Sequence, residues 1–318
     1  MPKKINKNSW HTGEKLLHEK LGEAAELEDF GRHYIETRLS EFHRAFLAHL
    51  PFIVLGLVDD EGRPWATIRT GKPGFLSSPA PQTLIMDFAP SPQGPAEAGL
   101  KDGRPLGLIG IDFSSRARIR VNGLLGSQDK KGWRLNVNQS YGNCPKYIQK
   151  REYLPEFYEL YEGPAEAVSL DDELVRELIG RADTFFVTSW AEVEGQPQAD
   201  VSHRGGRPGF VAIGPSGDLI IPDLAGNHFF QTFGNFMLNP LAGLMFIDFE
   251  SGNLLQVSGR AKVDSEAARP FDFKGAERIW TVRPERMYYR RQATTLRWHL
   301  TKKAWSPNTL RTGSWSSS

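Results

Sequence analysis

Three stretches of the chain gather side chains able to do chemistry. The first is Ser140-Tyr141-Gly142-Asn143-Cys144-Pro145-Lys146-Tyr147-Ile148, which holds the only cysteine. A thiol beside Lys146 has a setting that favours thiolate, a nucleophile or redox group. A small apolar filler in a turn is the other fate of a lone cysteine, and no Cys-His-Asp order accompanies this one. The second stretch carries Arg116, Arg118 and Arg120, alternate residues of an expected strand and so expected on one face. Three guanidiniums on one face repel unless they meet anions or carboxylates. An anion groove satisfies that, and so does an exposed sheet face with acids such as Asp112. The third is Ser202-His203-Arg204, followed by Gly205-Gly206. Hydroxyl, imidazole, guanidinium and a glycine backbone suit an anion, and they equally suit a polar hairpin end.

The chain that must position these groups has 318 residues, long enough for two domains. Hydrophobic residues make up 39% and charged residues 24%, so each half has material for a core. A net charge of +1 gives no global case for nucleic acid or membrane binding. One cysteine excludes an internal disulfide and a multi-cysteine metal centre, and it suits a reducing cytoplasm. The basic residues Met1 to Asn8 precede no apolar stretch, so no signal peptide is expected. No run of about 18 apolar residues predicts a membrane span. His18, His33, His43 and His49 are too dispersed for a metal site.

Apolar spacing predicts helices over Glu14 to Ala25 and Phe30 to Leu50. Then the texture becomes β. Phe52 to Val58 and Trp65 to Arg69 read as a hairpin, with strands at Thr83–Asp87, Pro105–Phe113, Ala117–Gly123 and Trp133–Val137. A helix is expected over Leu170–Ile179 with Ser169 as its cap. The β texture returns over Thr184–Ala191, Ala199–Ser202, Phe210–Ile213, Leu219–Pro222, Gly243–Phe249, Leu254–Val263, Arg278–Tyr289 and Leu296–Leu300. A short helix at Phe229–Leu238 interrupts it. The expected divisions are a helical segment 1–50, a first barrel 51–139, a linker 140–180, a second barrel 181–300 and a tail 301–318.

The two β regions repeat each other. Glu61-Gly62-Arg63-Pro64 parallels Glu194-Gly195-Gln196-Pro197, and Lys72-Pro73-Gly74-Phe75 parallels Arg207-Pro208-Gly209-Phe210. Pro105 to Phe113 parallels Pro240 to Phe249 with one extra residue, and Val121-Asn122-Gly123 parallels Val257-Ser258-Gly259. The offsets are 194 − 61 = 133, 207 − 72 = 135 and 257 − 121 = 136. Four blocks in one order predict a duplicated antiparallel β-barrel, with the cysteine segment at the seam.

The run Asp200 to Val211, then Pro222-Asp223, Gly226-Asn227, Asn235, Asn239-Pro240 and Leu254 to Ala261, resembles the pyridoxamine 5′-phosphate oxidase-like FMN-binding split-barrel family. The first half, through Trp65, Pro73-Gly74-Phe75, Gly107 to Phe113 and residues 116–123, is similar to the first half of its larger, tandem members. The resemblance implies a mainly β (α+β) fold of two tandem split barrels with N-terminal and linking helices. It implies FMN in the groove between barrels, with the arginine strand of one half facing the phosphate loop of the other. On that basis Ser202, His203, Arg204, Asn227, His228, Gln231, Thr232, Asn235, Arg116, Arg118 and Arg120 are the expected cofactor contacts. Asn143, Cys144 and Tyr147 are the candidate catalytic residues beside the ring or substrate. Where related proteins carry Arg or Lys on the short helix, this chain has Phe229 and Phe230, which shifts the phosphate's charge partner to Arg204 and the first half. Trp298 with Arg297 is expected either to cap the site or to pack in the core. Arg69, the first-half counterpart of the Ser202–Arg204 region, serves a second site or is a relic. The implied activity is a two-electron oxidoreductase on a small-molecule substrate, with NAD(P)H or a ferredoxin-type donor and a homodimer as further expectations. A non-catalytic flavin- or haem-binding protein is the alternative.

Overall fold

The computed structural model describes residues 9–89, 94–154, 156, 158–161, 163–226, 228–263 and 273–315. Three helices lead: α1 (Thr12–Leu21), α2 (Ala24–Tyr34) and α3 (Glu41–His49). Gly22, in the left-handed conformation at φ 73, ends α1 where one longer helix was expected. Ser40 caps α3 by accepting a hydrogen bond from the His43 N–H.

The first barrel contains β1 (Phe52–Val58), β2 (Pro64–Thr70), β3 (Leu76–Ala80), β4 (Thr83–Met86), β5 (Pro105–Asp112), β6 (Ala117–Leu125) and β7 (Trp133–Gly142). Strand β7 runs past the expected end of the barrel and takes in Ser140, Tyr141 and Gly142, because Ile119 to Val121 of β6 pair with them. Two short strands, β8 (Arg151–Tyr153) and β9 (Glu166–Ala167), and α4 (Glu173–Arg181) follow. Asp172, not Ser169, stands at the N-cap of α4. The second barrel contains β10 (Thr184–Val193), β11 (Gln196–Gly205), β12 (Ala212–Ile213), β13 (Leu219–Leu224), α5 (Gln231–Leu238), β14 (Leu241–Ile247), β15 (Leu254–Val263) and β16 (Ala276–Arg290). β17 (Trp298–Leu300) pairs with β8, and α6 (Pro307–Leu310) closes the described chain.

The duplication is exact in topology. The first sheet has the strand order β2-β1-β5-β6-β7-β4-β3 and the second β11-β10-β14-β15-β16-β13-β12, each strand number raised by nine. Neighbours are antiparallel throughout. Each barrel has its own apolar core, and a third cluster joins them. That third cluster holds Val54, Ile68, Ile109 and Ile111 from one barrel and Phe186, Val201, Met245 and Ile247 from the other. Burying each such side chain stabilises by about 1.5–3 kcal/mol, so the barrels form one packed body.

Two equivalent glycines set how closely the barrels approach. A Cβ at Gly107 in β5 would lie 2.7 Å from the Asp200 backbone, and one at Gly243 in β14 would lie 2.3 Å from the Pro64 oxygen. Only glycine lets strand backbones touch there. Two grooves result, each walled by the sixth and seventh strands of one barrel and the second strand of the other.

Candidate functional site

One of these grooves is an open cleft. β6 and the seam line it with Arg118, Arg120, Asn143, Cys144, Lys146 and Tyr147. The second barrel contributes Ser202, His203 and Arg204 at the end of β11, Asp223 on β13, and His228 to Phe233 around the start of α5. The space not filled by atoms is about 860 Å³, counting the part open to solvent, and a water molecule's centre fits in about 100 Å³ of it. It is a narrow slot, lined by protein on both sides.

The arginine strand faces the other barrel. Arg118 donates through Nη2 to the Cys144 carbonyl at 2.7 Å and through Nη1 to the His203 carbonyl at 3.4 Å. Among the described residues no carboxylate pairs with it. Burial, with Arg120 and Arg204 nearby, pushes its pKa down to about 9. Arg120 is different: it is paired to Asp200 and donates to Gln231 Oε1 at 3.3 Å. Arg204 donates to Asp223 at 3.1 Å and lies over the Phe233 ring. Asp223 also receives Arg278 at 2.6 Å.

Polar atoms without partners gather on this wall. Arg118 Nε, Arg120 Nε, Arg204 Nε, Gln231 Nε2, His203 Nε2 and Asn143 Oδ1 are buried and make no hydrogen bond. Such orphans cost stability unless a ligand satisfies them. Ser202 and Thr232 hydroxyls sit 3.0 Å apart beside them. Phe230 takes the left-handed conformation at the N-cap of α5, and no side chain caps the helix. Gln231, Thr232 and Phe233 of its first turn border the cleft, and a helix start without a side-chain cap suits an anion. His203 lies against Phe113 and Phe186, and burial, with Arg118, Arg151 and Arg204 close, holds its pKa well below the ordinary value, so the imidazole is neutral.

Two expected contacts lie elsewhere. Arg116 precedes β6 with φ 62, which turns its side chain out of the strand's alternation. Its guanidinium instead donates to the Ile148 and Ala304 carbonyls, at 2.8 and 3.0 Å. Asn235 lies one helical turn below Gln231, donates to Ser189 Oγ at 2.9 Å and faces His11 Nε2 at 3.0 Å. Asn227 falls outside the described residues. Trp298 and Arg297 do not cap the cleft. Trp298 packs on Phe52 and Phe249, and Arg297 binds the Thr294 and Leu296 carbonyls. His228 is at the rim, 2.8 Å from Glu23 and 3.3 Å from Glu277.

Some contributors carry no sequence signal. α1 backs α5 so tightly that a Cβ on Gly13 would lie 2.0 Å from the Gly234 oxygen. This brings Glu14, buried behind the cleft, to within reach of the His11 N–H at 2.7 Å. Burial raises its pKa to about 8. Glu277 reaches the rim from β16, and only the fold places it there. Phe229 packs with Trp10, Phe30, Tyr34 and Tyr141 and still borders the cleft.

No protein-family model matches the chain, and no curated protein matches it in sequence. Among solved structures, HupZ of Group A Streptococcus aligns at 16% identity over 39% of this chain and 97% of its own, with a TM-score of 0.29. HutZ, described as the heme storage protein from Vibrio cholerae, aligns at 14% identity over 39% and 96%, TM-score 0.26. A proposed 5-nitroimidazole antibiotic resistance protein from Bacteroides thetaiotaomicron aligns at 12% identity over 43% and 95%, TM-score 0.27. No helix among the described residues is long and apolar enough to cross a membrane.

Proposed function

We propose that the open cleft holds FMN by its phosphate and that the protein is an FMN-dependent oxidoreductase acting on a small molecule. The observation that carries this is Arg118, a guanidinium on the cleft wall whose partners among the described residues are carbonyl oxygens. The unpartnered donors and the uncapped start of α5 fit a dianionic group beside it. Arg118, Arg204, Ser202, Gln231 and Thr232 would hold the phosphate. The resemblance to the pyridoxamine 5′-phosphate oxidase-like FMN-binding family supports FMN as the anion's owner. Phe230, Phe233 and Tyr147 line the slot and give it apolar surface. When bound, FMN supplies two-electron transfer between NAD(P)H or a ferredoxin-type donor and substrate. Asn143, Cys144 and Tyr147, from the seam, line the cleft where a substrate would meet it, the thiol as lining and not as a bond-making group.

The purified chain should bind one FMN, with quenched flavin fluorescence and a raised melting temperature, and NAD(P)H or reduced ferredoxin should bleach the bound flavin. A protein that neither quenches FMN nor melts higher with it would end this proposal. The second reading, a non-catalytic flavin- or haem-binding protein, is favoured by Phe229 and Phe230, which stand where related proteins carry cations, and by the neutral His203 with its unpartnered Nε2. Haemin titration giving a sharp Soret band, or FMN that binds and resists every donor, would select it.

A further inference from the structure

The second inter-barrel groove occupies the pseudo-equivalent position and is closed. Register fixes the correspondence. Arg120 pairs with Tyr141 across β6 and β7, as Gln256 pairs with Tyr288 across β15 and β16. Arg69 lies opposite Ile53, as Arg204 lies opposite Phe185. The single-turn 3₁₀ segment Pro95–Gly99 falls between the fourth and fifth strands of its barrel, where α5 falls in the other. That segment carries Glu97, whereas α5 carries no acid.

The Glu97 carboxylate, 15% exposed, is paired to the buried Arg69 guanidinium, 5% exposed. Arg69 is held by the Thr67 hydroxyl and the Ile68 carbonyl and lies over Phe88. Arg290, from β16, is buried alongside, and its pKa falls to about 10 through burial and the charge of Arg69. Gln256 donates to the Ala66 carbonyl at 2.7 Å and Trp65 packs on Tyr288, closing the rest.

We propose that the second groove is an anion site filled by the chain's own Glu97, whose carboxylate stands where an oxyanion would sit between Arg69 and Arg290. The ligand class is a tetrahedral oxyanion, free phosphate or the phosphoryl end of a nucleotide. Removing the Glu97 charge unmasks the site. The inference stands on the repeat and on this ion pair, so it holds whether or not the open cleft takes FMN.

The test uses the full chain in an Arg118→Met background, which removes the open cleft's free guanidinium. Melting temperature is measured against inorganic phosphate, with sodium chloride at matched ionic strength. Glu97→Ala should gain a saturable, phosphate-specific rise of about 2 °C at ten times the dissociation constant, absent from the parent. Glu97→Gln should follow in the same direction, and Glu97→Asp should behave like the parent. Equal phosphate responses in Glu97→Ala, Glu97→Gln and parent overturn the proposal. If Glu97→Ala folds only with phosphate and not with chloride, the proposal stands. If neither salt recovers it, the Glu97→Gln response alone decides. FMN that binds the Glu97→Ala chain in this background and not its parent shows that the unmasked groove takes a nucleotide phosphoryl group, and a response to phosphate alone limits it to the free anion.

Discussion

Two grooves built on one topology differ in what fills them. In the open cleft the sixth strand offers Arg118 and Arg120, and the element between the fourth and fifth strands is a helix with a bare N-terminus. In the closed groove the sixth strand offers Leu254 and Gln256, and the corresponding element is one 3₁₀ turn bearing Glu97. The backbone therefore does not decide which groove is a site. The side chains do: the carboxylate of Glu97 enters the closed groove and pairs with Arg69, whereas Arg118 of the open cleft meets no carboxylate among the described residues.

The largest effect expected from breaking this comparison is in the closed groove. Arg69→Met removes the ion-pair partner of the largely buried Glu97 and should destabilise by about 3 kcal/mol or more, read by denaturant unfolding. FMN affinity should change little, because no atom of Arg69 reaches the open cleft. Next comes the open cleft. Arg118→Met should weaken FMN binding about tenfold to a hundredfold, measured by fluorescence quenching. The ligand-free protein should melt no lower. The folded-state pKa of Arg118, about 9, lies below its ordinary value, so the charged form is penalised at every pH below about 9, and removing the charge relieves that penalty.

Glu14→Gln separates the grooves by pH, because α1 packs against α5, which borders the open cleft. The folded pKa of Glu14, about 8, is above its ordinary 4.5, so the native state holds a proton that the unfolded chain releases. Its stabilising contribution is whole below pH 4.5 and is lost as pH rises through 8. The variant's advantage over the parent should therefore grow between those values and level off above, in melts across pH. A flat difference would show that Glu14 is ionised throughout. The smallest effect belongs to Cys144→Ser, which should leave FMN affinity within about twofold. Loss of turnover with flavin still bound would show that the thiol reacts.

The repeat was legible because paired turns and strands leave matching blocks in both halves. The resemblance to the split-barrel family, rather than the blocks themselves, pointed to Arg118, Arg120, Ser202, His203, Arg204, Gln231 and Thr232, and all of these line the cleft. Alternation misled at Arg116, since a single left-handed residue reverses a side chain and leaves no periodic trace. Helical spacing could not show that Asn235 lies too deep to reach the cleft, because depth depends on where the helix starts relative to the wall. Arg69 was visible as a counterpart, but its partner Glu97 sits in a Pro/Gly-rich connection with no pattern to mark it. α1 contributes through Gly13 and Gly234, a contact between helices that are more than two hundred residues apart in sequence.

Both walls of the cleft belong to one polypeptide. In a pair of separate barrels the slot would assemble and come apart by mass action, and ligand affinity would track protein concentration. Here the apolar seam between the barrels is intramolecular, at the high effective concentration that a short tether sets. Dilution therefore cannot open the slot, and the dissociation constant for its ligand should be the same at nanomolar as at micromolar protein.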